Sequence, residues 1–361
     1  MFKEEMKRGM YDAEVKIPQN AQRRYFFHLY QIHAGRQKIE YYLLRGLQCA
    51  GKMYRHTQSF YITKHTQKRN IDTDALGRYH LLMIEKLPHG KLAVKLIALD
   101  LDDTLLNTEL KISLRTVSAL RRAASQGIFV VIASGRPESA ILPFVRELDI
   151  AGFQAGRYII ALNGAVIFDL HERRTIFSKK VSGDVLEKIF LEAHDRGLSA
   201  EIYDGSIICV SEETKWSRTD ADLSGLTLKV VRDFPSLVKN GYAKMILSAD
   251  PKDVDSFIPV LREKFSGAAD FFISKPFFLE VMPPGCGKGE AIAFLSDMLG
   301  IDRSETMAFG DSMNDESMIR MSGHGVAMSN GLTAIRDAAA YVTRKTNDED
   351  GIADFLEAFV L

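Results

Sequence analysis

The chain is poor in several things. It has three cysteines in 361 residues, Cys49, Cys209 and Cys286, too far apart for a metal-ligand spacing or a disulfide framework. Such scarcity suits a reducing compartment and leads to the expectation of a cytoplasmic protein. It has no apolar run of the roughly 18 residues a membrane-spanning helix needs. Its opening, Met1-Phe-Lys-Glu-Glu-Met-Lys-Arg8, lacks the apolar centre of an export signal. It has no net charge, with 47 Lys/Arg against 47 Asp/Glu, so the chain as a whole carries no nucleic-acid or membrane signature. Internal repeats and low-complexity tracts are absent too. The nine histidines show no ligand spacing and read as scattered surface residues.

What is present is uneven. Residues 1–94 hold 17 Lys/Arg against 8 Asp/Glu, and the remainder holds 30 against 39. That split marks a boundary near Lys91 to Lys95. In the basic segment, charges interleave with aromatics, as in Arg23-Arg-Tyr-Phe-Phe-His28, without a named binding motif or a clean amphipathic period. Met83 stands where a start would be natural, so residues 1–82 are expected to be a translated upstream region. A disordered or helical extension and a module binding nucleic acid or an acidic partner are the alternatives, the last the least favoured.

Beyond the boundary the pattern becomes regular. Lys95-Leu-Ile-Ala-Leu-Asp100, Ile128-Phe-Val-Val-Ile-Ala133, Tyr158-Ile-Ile-Ala-Leu162 and Thr306-Met-Ala-Phe-Gly310 are short apolar runs without alternation. Such runs suit strands buried on both faces of a parallel sheet. Between the first two, Leu114, Val117, Leu120 and Ala124 recur at helical spacing, with Ser113 to cap the start and Gly127 to end it. Gly289 to Gly300 reads as a second helix. The fold class is therefore α/β, with a Rossmann-like parallel sheet. A polar residue follows each run: Asp100, Ser134, Asn163 and Asp311. Ligands of open α/β sheets bind beyond the carboxyl ends of the strands, so these four should meet at one edge. Polar residues must follow any buried strand, but all four supply groups that a phosphate and a metal need.

The stretch 168–282 interrupts this alternation with its own strand-like runs, Ser206-Ile-Ile-Cys-Val210 and Tyr242-Ala-Lys-Met-Ile-Leu247, and a helical segment from Gly183 to Gly197. It is long enough to be an inserted α+β domain. The core would then be 95–167 and 283–361.

The strongest chemical signal is Asp100-Leu-Asp102-Asp103-Thr104, directly after the first strand. One acid can attack phosphorus while the other handles protons. A carboxylate approaching a phosphate monoester meets like charge. Two unit charges about 4 Å apart repel by about 4 kcal/mol at an effective dielectric of about 20. Positive groups must offset that. Asp311, in Gly310-Asp-Ser-Met-Asn-Asp315, can join Asp100 in holding Mg²⁺. Lys288, in Gly285-Cys-Gly-Lys-Gly289, opens a helix and can hold phosphate as a point charge. Ser134 and the backbone N–H groups near Gly135 can donate to phosphate oxygens. The Gly285 to Glu290 stretch does not fit a P-loop spacing.

In this order the motifs resemble the haloacid dehalogenase-like hydrolase superfamily, and more narrowly its Cof-type phosphatases. Supporting phrases are Ala133-Ser-Gly-Arg-Pro137, Asn163-Gly-Ala165, Leu279-Glu-Val-Met-Pro283 and Gly325-Val-Ala-Met328. The resemblance covers about residues 94–361. It implies that Asp100 is the nucleophile that becomes an aspartyl-phosphate. Asp102 would protonate the leaving oxygen and then activate water. Thr104, Ser134, Gly135, Asn163, Lys288 and Asn314 would contact substrate or phosphate. Asp100, Asp102 and Asp311 would hold Mg²⁺, with Asp315 behind them. The insertion would be the large cap of this branch, with hinges near Phe168 and Pro283–Pro284, and the partner would be a small phosphorylated metabolite. An acid at Asp102 separates the chain from ion-pumping ATPases, which resemble this core but carry threonine there. A phosphomutase and a binding protein with a retired site are the other readings. The first is disfavoured because only 34 positions separate Asp100 from Ser134. The second conflicts with the intact acids and lysine. Pro284 and Gly287 depart from the Lys and Ser common near this motif lysine. Cys286 beside Lys288 reads as an ordinary loop thiol, with an activated thiol as the alternative.

Overall fold

The computed structural model describes residues 10–12, 24–34, 38–49 and 52–63 as backbone strands, and 86–152 and 154–361 in full. The chain divides into two units, 1–80 and 81–361. In the first, β1 (Met10–Asp12), β2 (Arg24–Ala34), β3 (Lys38–Cys49) and β4 (Lys52–Thr63) pair antiparallel in sequence order. Met83 and the expectation attached to it lie outside the described residues.

The second unit begins its main sheet with β5 (Leu96–Leu99), followed by helix α1 (Leu114–Ser125), β6 (Phe129–Ala133), helix α2 (Glu138–Leu148) and β7 (Tyr158–Ala161). The strands β5, β6 and β7 are parallel neighbours. The helix α1 forms where its caps allow: Ser113 Oγ accepts from Thr116 N–H at 3.1 Å, and Gly127 turns left-handed at its end. Val117, Leu120 and Ala124 are buried as their spacing predicts, while Leu114, in the first turn, is exposed.

The hairpin of β8 (Val166–Asp169) and β9 (Arg174–Ser178) adds two antiparallel strands to β7. This corrects the expected domain edge at Phe168. Residues 168–178 pair with the main sheet, and the passage into the inserted region follows Ser178. The two connecting segments are tied together, because Lys179 Nζ donates to the Pro284 carbonyl at 2.7 Å.

The inserted region contains α3 (Gly183–His194), β10 (Ser199–Asp204), β11 (Ile207–Val210), α4 (Lys215–Ser224), β12 (Thr227–Val230), α5 (Phe234–Val238), β13 (Met245–Ser248), α6 (Pro251–Lys264), β14 (Asp270–Lys275) and β15 (Phe278–Met282). Its sheet runs β12-β11-β10-β13-β15-β14, all antiparallel except β11 with β12. One face packs on α3 and α6 through Ala200, Ile202, Met245, Leu247, Leu279 and Val281.

The chain then returns with α7 (Lys288–Leu299), β16 (Thr306–Gly310), α8 (Glu316–Met321), β17 (His324–Ala327), α9 (Thr333–Ala338), β18 (Tyr341–Val342) and α10 (Gly351–Phe359). The completed main sheet is β18-β17-β16-β5-β6-β7-β8-β9. In β5, Ile97 and Leu99 join one apolar core with α1 and α10, while Leu96 and Ala98 join another with α7 and α8. Both faces are covered, which is why the strand reads as an unbroken apolar run. The chain also reaches this unit before Lys95: Leu92 N–H donates to the Phe359 carbonyl at 2.7 Å and Lys86 Nζ to the Ala339 carbonyl at 2.9 Å. Among the described residues no helix is long and apolar enough to cross a membrane.

Candidate active site

The site forms at the carboxyl ends of β5, β6, β7 and β16. After β5 the chain makes one wide turn over Leu101–Leu105, with the Leu106 N–H bonded to the Leu101 carbonyl at 2.8 Å. Inside it Asp102 stays extended and Asp103 is left-handed (φ 59°). This break from helix lets Asp100 and Asp102 leave the strand in different directions. The Asp100 N–H is held by the Phe309 carbonyl at 2.9 Å, which locks the end of β5 to β16.

Lys288 is the first residue of α7 and is wholly buried. Its ammonium donates to Asp100 Oδ1, and to Asp315 Oδ1 at 2.6 Å. The lysine is brought there by a close approach of backbone. Gly164 has φ +92°, and a Cβ at that position would lie 2.1 Å from the Gly287 carbonyl oxygen. Only glycine lets the Asn163-Gly-Ala165 turn sit against the start of α7.

The Asp315 carboxylate is committed on both oxygens. Its Oδ2 accepts from the N–H groups of Asp311 at 2.9 Å and Ser312 at 3.0 Å. Asp315 therefore holds Lys288 and shapes the loop that carries Asp311. Thr104 Oγ1 donates to Asp311 Oδ1 at 2.9 Å.

Carboxylate oxygens of Asp100, Asp311 and Asp315 lie within 4.8 Å of one another. With one ammonium among three acids, negative charge is left over. Burial and the Asp315 charge raise the pKa of Asp100 well above the usual carboxylate range, with Lys288 opposing. The same two causes push Asp311 up to about 7. Burial pulls Lys288 down, but the Asp100 and Asp315 charges outweigh it and its pKa is raised. A divalent cation fits this set. The donors are hard oxygens, and the hydrogen bonds described for Asp100 and Asp311 each engage only Oδ1.

The Asp102 side chain stands apart from that trio. Arg136 grips it from two nitrogens, at 2.9 Å and 2.5 Å. The guanidinium holds the Asp102 carboxylate outside the Asp100, Asp311 and Asp315 cluster, and the side chain is 44% exposed.

The remaining expected residues form a connected ring. Ser134 is buried and its Oγ accepts from Arg136 N–H at 3.2 Å. Asn163 is left-handed (φ 53°), its N–H bonds the Ser134 carbonyl at 2.9 Å, and its Oδ1 accepts from Asn314 Nδ2 at 3.1 Å. The Gly135 carbonyl accepts from Lys244 Nζ at 3.0 Å. Lys244 in turn pairs with Glu280 at 2.8 Å, and Glu280 accepts from Asn163 Nδ2 at 2.8 Å. Two residues of the inserted region thus bond directly to the core loops. Sequence reasoning missed Arg136, Lys244 and Glu280 as site residues. For Glu280 a signal existed: an acid in the middle of Phe278-Leu-Glu-Val-Met282, whose five residues are all buried. Burial raises the Cys286 thiol to about 11, which fits an ordinary loop thiol.

The profile of the haloacid dehalogenase-like hydrolases matches residues 97–356. The chain belongs to that family. It is thereby an enzyme of the hydrolase class, among relatives named as phosphatases. The phosphatase YwpJ of Bacillus subtilis is 31% identical, over 73% of this chain and 99% of its own. The 5-amino-6-(5-phospho-D-ribitylamino)uracil phosphatase YwtE of the same organism is 30% identical, over 73% and 97%. The crystal structure of a haloacid dehalogenase-like hydrolase from Bacteroides thetaiotaomicron superposes with a TM-score of 0.68 at 34% identity, covering 73% of this chain and 98% of that one.

Proposed function

We propose that this hydrolase cleaves small phosphate monoesters, of sugars or phosphorylated cofactors, by a Mg²⁺-dependent route through an aspartyl-phosphate on Asp100. The observation that carries the reading is the convergence of Asp100, Asp311 and Asp315 around the Lys288 ammonium. Three acids around one lysine leave negative charge that a divalent cation would offset, and that cation beside the Lys288 ammonium would suit a phosphate group. The relatives' activities support the substrate class, since one of them acts on a phosphorylated ribityl compound.

In the proposed sequence a carboxylate oxygen of Asp100 attacks phosphorus, and the bond from phosphorus to the ester oxygen breaks. Asp102 gives its proton to the departing oxygen, which leaves as the alcohol. Asp102 then takes a proton from water, whose oxygen attacks phosphorus. The bond to Asp100 breaks and inorganic phosphate leaves. Lys288 stabilises charge on the phosphoryl oxygens in both transfers and holds Asp100 in place. Thr104 orients Asp311, and Arg136 fixes the starting position of Asp102. Asp100 and Asp311 are the residues that would hold Mg²⁺. When bound, the metal offsets the repulsion between carboxylate and phosphate and orients the phosphoryl oxygens. The reading includes a cytoplasmic setting, which the sparse, scattered cysteines suit.

Hydrolysis of p-nitrophenyl phosphate tests this reading. Turnover is expected with Mg²⁺, with loss in EDTA that Mg²⁺ restores, and loss on Asp100→Asn. Turnover that persists in EDTA, or survives Asp100→Asn, would refute it.

A further inference from the structure

The sheet of the inserted region has a second face, opposite α3 and α6, and that face is polar. Glu201 on β10 and Glu280 on β15 are both in register with Ile246 on β13, so they point the same way two strands apart. Lys244 reaches from this face to the Gly135 carbonyl, so the face looks onto the core loops around Asp100. The helix α4 closes one side, where Tyr203 donates to Asp220 at 2.8 Å. Glu201, Asp220, Lys244 and Glu280 are all buried.

The partners in this cluster do not balance. Glu280 is satisfied by Lys244 and Asn163, and Asp220 by Tyr203. Arg136 is taken by Asp102. Glu201 is 1% exposed, and neither of its carboxylate oxygens has a hydrogen-bond partner among the described residues. Burial, then the Asp220 charge, raises its pKa well above the usual carboxylate range, with Lys244 opposing and Glu280 adding to the rise. An unmatched buried carboxyl is costly unless something donates to it. Three carboxyls around one lysine favour a donor group over an acceptor or an anion.

We propose that Glu201 is a specificity-determining residue that accepts a hydrogen bond from an ammonium or hydroxyl group on the organic part of the phosphate monoester. The site therefore takes aminated or polyhydroxylated leaving groups and disfavours carboxylated ones. This deepens the phosphatase reading and rests on it for the position of the phosphate.

Calorimetric binding to the full chain in the Asp100→Asn background, with Mg²⁺, separates the two ideas. Glucosamine 6-phosphate and 6-phosphogluconate are six-carbon probes of opposite character. The aminated probe is expected to bind more tightly, and adding Glu201→Gln is expected to shrink that preference by about tenfold, the worth of one charge-assisted hydrogen bond. Glu201→Asp should keep part of it. Tighter binding of 6-phosphogluconate, or the same preference with Glu201→Gln, overturns the inference. A general folding defect would weaken both probes alike and leave the preference unchanged, which also counts against it. Turnover of p-nitrophenyl phosphate by the unsubstituted chain reports on the phosphatase reading alone. Absent turnover beside a Glu201-dependent preference would sink that reading and leave the donor site standing.

Discussion

Lys288 has no exposed surface and two carboxylate partners, so its charge is usable only where Asp100 and Asp315 hold it. Replacing it by Met leaves Asp100 and Asp315 buried without a counter-charge. Urea unfolding of Lys288→Met should show a loss of about 3–5 kcal/mol, typical of breaking a buried ion pair from one side. The Lys244–Glu280 pair obeys the same rule: Lys244→Met should cost a similar amount, and the double variant Lys244→Met with Glu280→Leu less than the two single costs together. Equal additive costs would show that the two groups are not coupled. These pairs also mark where sequence reading stopped. Asp100, Lys288 and Asp311 were legible because each follows a strand or opens a helix in a recognisable run. Arg136 and Asp102 sit 34 positions apart and Lys244 and Glu280 36 apart. Their partnership depends on which strands are neighbours, which local pattern does not carry.

At the scale of elements, the parallel strands were legible because burial on both faces writes an unbroken apolar run. The edge hairpin of β8 and β9 was not. Its strands alternate or lie exposed and so carry no unbroken apolar run, and Phe168 looked like the boundary. The turn that positions α7 is the element most sensitive to a single atom. Gly164→Ala would place a methyl group against the Gly287 carbonyl at a backbone angle alanine disfavours. It should lower kcat by roughly 10²-fold through displacement of Lys288, with a smaller effect on KM. Unchanged kcat would mean that the turn does not set the lysine's position.

For the whole molecule, the polar face of the inserted sheet ties substrate choice to stability. The Glu201 carboxyl is raised in the fold by burial and by Asp220, so the folded state keeps its proton at a pH where the unfolded chain has released it. Protonated, it costs the fold least. The stability present below the ordinary glutamate range, about pH 4.3, is lost progressively as pH rises towards the folded-state value. Glu201→Gln removes this dependence. Its melting temperature should match the native chain at the acid end and exceed it increasingly towards neutral pH, read by thermal scans across that range. A constant offset at all pH values would contradict the assignment.

The central claim is that Asp100 itself carries the phosphoryl group. Reaction with substrate and Mg²⁺, stopped in acid within the first turnover and followed by peptide mass spectrometry, tests it most directly. The phosphoryl group is expected on the peptide containing Asp100 and nowhere else, and is expected to vanish with Asp100→Asn. Label on another residue, or rapid turnover with no covalent phosphoryl group at any time point, would contradict the account.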